Sequence, residues 1–101
     1  MRTLILAVVF LFARPEAGID KGACTFAGKK LYGKIQKVDA FPDVKVQVVT
    51  AFPDVKVQKV DAFPEKCGMW QMVDAFPDTK VQFVDAFPDV KIEYVTAFPG
   101  M

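Results

Sequence analysis

Ala-Phe-Pro occurs six times in this 101-residue chain, and its prolines, Pro42, Pro53, Pro64, Pro77, Pro88 and Pro99, step by 11, 11, 13, 11 and 11 residues. Proline fixes its own φ and lacks the N–H that a helix interior needs. At this spacing no helix longer than about two turns survives. The residues between prolines alternate: Val44-Lys45-Val46-Gln47 is apolar, polar, apolar, polar, the period of a strand with one face buried. β-branched valine suits a packed, pleated surface. Asp39-Ala40-Phe41-Pro42-Asp43 is then the corner, with Pro42 pressing Phe41 toward an extended backbone and Asp43 capping the turn through its side chain. The expected fold class is all-β, made of short strands from an 11-residue unit, Val-Asp-Ala-Phe-Pro-Asp-Val-Lys-Val-Gln-x.

Val38 to Val48 is a clean copy, and Val84 to Tyr94 another with Ile92 and Glu93 as variants. Lys34-Ile35-Gln36-Lys37 reads as the back half of an earlier copy, which makes seven traces. Eleven residues suffice for one strand and one corner, so two units are expected to close one turn of a compact two-sided β-coil. Equivalent residues would then stack at about 4.8 Å. Val44, Val46, Val55, Val57, Val81, Val90 and Ile92 would form an inner ladder. Lys45, Lys56, Lys80 and Lys91, with Gln47, Gln58, Gln71 and Gln82, would form an outer one. Asp43, Asp54, Asp78 and Asp89, each two residues before a lysine, would offset the repulsion of stacked like charges.

The period breaks once, at Glu65-Lys66-Cys67-Gly68-Met69-Trp70-Gln71-Met72. Aligned from its end, Trp70 takes the second strand-valine position and Met69 the lysine position. The two extra residues then fall near Cys67-Gly68, where glycine suits a bulge. A lone Trp replacing a core valine is most simply a core Trp; the other reading is a ligand platform. Cys67 sits on the kink, placed to meet Cys24 from the non-repeating segment. The expected disulfide Cys24–Cys67 would staple the entry strand to the middle of the array, and two free buried thiols are the alternative. No His and no CxxC accompany them, which speaks against a catalytic thiol.

The amino terminus differs from the rest. Arg2 precedes the unbroken apolar run Leu4 to Phe12, and small residues, Ala13, Ala17 and Gly18, follow. This is the layout of a secretory signal peptide, and the run is shorter than the roughly 20 residues a spanning helix needs. The expected organisation is a signal segment over 1–17, its cleavage site left open, and a single β-repeat domain over 18–101, secreted or periplasmic. Thirteen basic residues face twelve acidic ones. Without Arg2, Arg14 and Glu16 these become eleven of each. That balance excludes the basic stripe of a nucleic-acid binder and the cationic face of an anionic-membrane binder.

The run VxAFPDVKVQ, repeated about every eleven residues and interrupted once by a Cys-Gly insertion, resembles the bacterial septafoil, or 7(1), knot domain family. The likeness covers roughly Leu31 to Met101. It implies a compact β domain threaded as a seven-crossing torus knot. The same period also builds an unknotted β-solenoid, and knots are rare among folds, so that topology is the alternative. The resemblance implies a fold and no activity.

Motifs for catalysis are missing. The six glycines form neither GxGxxG nor a P-loop, which excludes the usual nucleotide enzymes. The absence of His removes the commonest general base and zinc ligand. Calcium is opposed by the interleaved lysines and the lack of a glycine-rich nonapeptide. No cofactor is expected. The leading functional reading is therefore a non-catalytic, rigid protein of the cell envelope or exterior. It would bind a glycan or an envelope protein through the lysine face, Lys45, Lys56, Lys80 and Lys91. Phe83 and Tyr94, at the variable position after Gln, would mark a binding patch if exposed and core if buried. The alternative is a small hydrolase or inhibitor whose carboxylates converge in a cleft. A third option is self-association through an exposed edge such as Val46-Gln47-Val48-Val49.

Overall fold

The computed structural model describes residues 18–101; the expected signal segment lies outside them. The described residues form nine strands and no helix. They are β1 (Ile19–Asp20), β2 (Thr25–Phe26), β3 (Lys29–Lys30), β4 (Gly33–Lys37), β5 (Val44–Val48), β6 (Val55–Lys59), β7 (Met69–Met72), β8 (Thr79–Phe83) and β9 (Val90–Tyr94). The first three make a small antiparallel sheet. The other six, all parallel, close into a barrel in the order β4-β7-β6-β9-β5-β8. Each begins at or beside the first apolar residue of its repeat, and the proline corner ends it. The seven traces resolve into six strands and six Ala-Phe-Pro links, because the first trace has no link before it and the last no strand after it.

The expected two-sided coil is corrected here. A two-sided coil would put successive repeats on opposite faces and stack every second one, β6 beside β4. In the barrel β4, β5 and β6 occupy alternate positions, and β8 and β9 fill the gaps between them. Alternation along each strand still sends the valines inward. Ile35, Val44, Val46, Val55, Val57, Trp70, Val81, Val90 and Ile92 are buried, and Thr79 stands in the position of a first valine. Burying each such valine contributes about 1.5–3 kcal/mol. With six strands the two rings of inward side chains fill the lumen. Closure also leaves no free edge: Val44–Val46 pairs with β8 and Val46–Val48 with β9. Self-association by edge pairing at Val46-Gln47-Val48-Val49 is thereby overturned.

Parallel strands ordinarily need a crossover of a dozen or more residues. Here six suffice at 38–43, 49–54, 73–78 and 84–89, because each strand is displaced by two residues against its neighbour. Val48 and Val55 both pair with Ile92, from its two sides. Lys37 and Val44 likewise flank Val81. The end of one repeat strand is therefore level with the start of the next but one, and the link has only to step across the strand between. The joint between β6 and β7 differs. There 60–68 joins strands that lie side by side. A third step of two positions would have returned the chain to β4. The shorter lateral step, with the extra residues it requires, puts the second trio of strands into the gaps of the first.

The β1–β3 sheet plugs the barrel at the end where the strands begin. Leu31 is fully buried, its N–H donating to the Cys24 carbonyl at 2.9 Å and its carbonyl accepting from Trp70 Nε1 at 3.0 Å. Thr79 Oγ1 donates to the Lys30 carbonyl at 2.8 Å. The disulfide Cys24–Cys67, 43 residues apart in sequence with Cα atoms at 5.7 Å, joins the plug to the long link. Gly33 and Gly68 replace first-position valines for reasons of backbone and space. Their φ values are +106° and +85°, in the region that favours glycine. A Cβ on the first would meet the Asp78 carboxylate, and one on the second the Lys56 carbonyl.

Candidate functional site

Each six-residue link lies across the middle of the strand it steps over and is tied to it at several points. For the link over β8, Val38 N–H donates to the Val81 carbonyl and Asp43 N–H to the Lys80 carbonyl, both at 2.8 Å. Lys80 N–H donates back to Asp43 Oδ2 at 2.8 Å, and Gln82 Nε2 donates to the Asp39 carbonyl at 3.2 Å. The pattern repeats with Asp54 on β9, Asp78 on β4 and Asp89 on β5, each carboxylate accepting a strand N–H at 2.8 Å. Gln36 and Gln47 hold the other side of their links by donating to the carbonyls of Asp74 and Asp85. Strands therefore run along the inside of the molecule and links along the outside. The aspartates and glutamines that sequence reasoning placed on turn and ladder are clamps between the two layers.

These clamps leave the Ala-Phe-Pro tripeptides arched over the strand middles. All six phenylalanines point into solvent: Phe41, Phe52, Phe76, Phe87 and Phe98 are 90–93% exposed and Phe63 is 78%. The barrel order places them, one per strand, as a belt around the waist: Phe76, Phe41, Phe87, Phe52, Phe98, Phe63. Their backbone corrects the extended conformation expected before proline. φ lies between +54° and +57° at every one. The left-handed region costs a non-glycine residue roughly 1–2 kcal/mol and is more easily occupied by Gly or Asn. The arch needs that reversal to turn over the strand; it does not need an aromatic ring there. An exposed, bulky, apolar side chain on a strained backbone, used six times, adds nothing to the packed core.

The lysines of the expected binding face are exposed, but they sit on different strands. Lys80, Lys45, Lys91 and Lys56 belong to β8, β5, β9 and β6, successive staves of the barrel. A displacement of two residues per strand separates equivalent positions by about 8 Å, from a 3.3 Å rise and 4.8 Å strand spacing. They therefore form an arc around the circumference, with a link between neighbours, in place of a flat stacked ladder. Gln82 pairs with Lys45, Gln47 with Lys91 and Glu93 with Lys56, so no lysine faces another across a strand pair.

Phe83 and Tyr94 divide between the two expected outcomes. Both lie at strand ends on the unplugged mouth of the barrel. Phe83 is half-buried and packs on the core, whereas Tyr94 is 38% exposed. Lys37 Nζ sits 5.9 Å from the Phe83 ring centroid and Lys59 Nζ 4.6 Å from that of Tyr94. Gln58, Lys59, Tyr94, Val95 and Thr96 line a shallow groove there. Burial pushes the Tyr94 phenol pKa up. Trp70, weighed in sequence as core or platform, is fully buried.

The phenylalanine belt is the feature that sequence reasoning missed. A signal for it was present. Ala-Phe-Pro is identical in all six copies, while the first core position drifts from Val to Gly and Thr and the second from Val to Ile and Trp. An apolar residue held constant in a corner, when the strand residues already suffice for a core, points outward.

Residues 28–101 match the model of the family described as 7(1) septoil knot domain. No curated protein matches the chain. The matched stretch covers the whole barrel and omits β1 and β2, so it includes Cys67 and leaves out its partner Cys24.

Proposed function

This chain belongs to the septoil knot domain family, and from that premise we propose that it is an exported, non-catalytic binding protein of the cell envelope or exterior that presents its belt of six phenylalanines to a partner. The observation that carries the reading is the exposure of all six rings on left-handed backbone. Monomeric proteins rarely leave large apolar surface open unless it binds something, and the fold requires the left-handed turn but not a bulky aromatic ring on it, where Gly or Asn would be less strained. Export is supported by the Arg2-to-Ala17 layout and by the Cys24–Cys67 disulfide, which persists in oxidising compartments. A seven-crossing torus knot is the threading that this two-layer winding, links outside and strands inside, supports. The clamped barrel gives the belt a rigid mount, so partner binding incurs little ordering entropy.

The second reading, a carboxylate hydrolase or inhibitor, needs converging acids. Asp43, Asp54, Asp78 and Asp89 instead accept backbone N–H groups on four different strands, which favours the binding role. The test is retention of the exported protein on fractionated cell-envelope material, compared with two variants. One carries serine at all six belt positions; the other carries Lys45, Lys56, Lys80 and Lys91→Glu. Loss of retention with the serine variant alone supports the belt. Loss with the charge-reversed variant alone transfers the site to the lysine arc, and retention of both sinks the proposal.

A further inference from the structure

The belt narrows the choice of partner. Six phenylalanines expose on the order of 1,000 Å² of apolar side chain, at 150–250 Å² each. The largest patch on a typical monomer is about 300–600 Å². The rings are distributed around the whole circumference, so a partner with one flat face meets only the two or three on its side. A bilayer is a poor fit for the same reason. It is also poor because four of the six rings, Phe41, Phe63, Phe76 and Phe87, are flanked on both sides in sequence by carboxylates, as Phe41 is by Asp39 and Asp43, and those charges would be dragged into the hydrocarbon. The belt as a whole carries both signs, with link carboxylates and strand lysines interspersed, and residues 18–101 hold eleven of each. Such a surface is complementary to itself.

Resting on the belt as the interaction surface, we propose that its partner is a second copy of this chain: the domains pack side by side, the arched links of one meshing into the valleys between links of the next. The barrel is closed and offers no edge for strand addition, and the edges of the small sheet, β1 and β3, are two residues long each, so the belt is the extended surface on which copies can meet. Between the ridges stand Lys80, Lys45, Lys91 and Lys56, whose methylene stems offer apolar contact and whose ammonium groups can lie over an incoming ring. Phenylalanines on every side let one domain touch several neighbours at once, so the assembly spreads in the plane of the belt. Contacts that are weak singly become strong together.

The experiment is sedimentation velocity of the mature, disulfide-bonded protein across a wide concentration range, with p-benzoylphenylalanine at Phe87 for photo-crosslinking. The wild type is expected to rise several-fold in weight-average mass with concentration, with crosslinks from Phe87 to links of another copy. A variant with serine at the three adjacent positions Phe41, Phe87 and Phe52 keeps half a belt and should stop at small oligomers; serine at all six should give the monomer. Far-ultraviolet circular dichroism and buried Trp70 fluorescence establish that each variant is folded. If the six-serine variant does not fold, Phe87→Ser with Phe52→Ser, expected to lower the mass, takes its place. A wild type that stays monomeric throughout overturns self-assembly. If that monomer still binds envelope material through the belt, the broader reading stands and only the identity of the partner changes.

Discussion

The two mouths of the barrel are built from the same repeat and finished in different ways. At the plugged mouth the largest departures from Val-Lys-Val-Gln meet the non-repeating chain: Trp70 donates to Leu31, Thr79 to Lys30, and Cys67 is bonded to Cys24. Toward the open mouth the core changes are mild, Ile for Val at Ile35 and Ile92, and the widest variation falls on the strand-end position occupied by Lys37, Val48, Lys59, Met72, Phe83 and Tyr94. Val48, Met72 and Tyr94 are 38–47% exposed there. The difference teaches where this fold is under constraint. A repeat can close on itself laterally by pairing, but a short barrel still has ends. The end that receives the non-repeating chain must be fitted to it residue by residue, whereas the other tolerates drift.

That contrast can be broken most forcefully at Trp70. Trp70→Ala should cost about 3–5 kcal/mol for the lost ring and its cavity, with roughly 1–3 more for leaving the buried Leu31 carbonyl without its donor. Equilibrium denaturation of the variant measures the sum, and a loss near 1 kcal/mol would mean that the plug is loosely fitted. Removing the disulfide with Cys24→Ala and Cys67→Ala should cost about 4 kcal/mol, from a closed loop of 43 residues. Amide exchange should show that loss concentrated in β1, β2 and the 60–68 link, with β5 and β9 opening only on global unfolding.

At the open mouth the expected effects are small. Tyr94→Ala should cost about 1 kcal/mol, since only half of the ring leaves water. The Tyr94 phenol should titrate above its usual value of about 10, because burial disfavours the phenolate. Its contribution to stability is complete below the unfolded-state value and fades as pH rises through the raised one. A spectrophotometric titration follows both. The smallest change is expected at the waist. Phe87→Asn keeps the left-handed backbone and should be neutral or stabilising by up to about 1 kcal/mol. A substantial loss there would show that the ring supports the fold, and would remove the argument that the belt exists for a partner.

Much of the barrel was legible. Period-two valines gave strands, proline gave their ends, and alignment around Cys67-Gly68 put Trp70 in a core position; these follow from local rules that hold wherever the strand lies. The lateral arrangement was not legible. Val48 and Val55 are separated by six residues in any coil of this repeat, and only the two-residue displacement, with Ile92 between them, makes the winding a closed barrel of interleaved trios in place of a flattened coil. The phenylalanine belt was missed for a related reason. Before the arch is known, a Phe preceding Pro reads as extended. Its left-handed φ and outward ring follow from having to pass over a strand contributed by a distant repeat.

Sequence by itself determined that the chain is all-β, which side chains face inward, where each strand stops and which two cysteines stand apart from the repeat, because alternation and proline act over a few residues. The tertiary structure alone decided which strands are neighbours, that Asp43, Asp54, Asp78 and Asp89 clamp links to strands, and that six phenylalanines ring the waist. Those are relations between residues about 40 apart, such as Lys45 with Asp89 and Lys80 with Asp43. They are set by a packing in which six short strands close on one another and bury their valines at once.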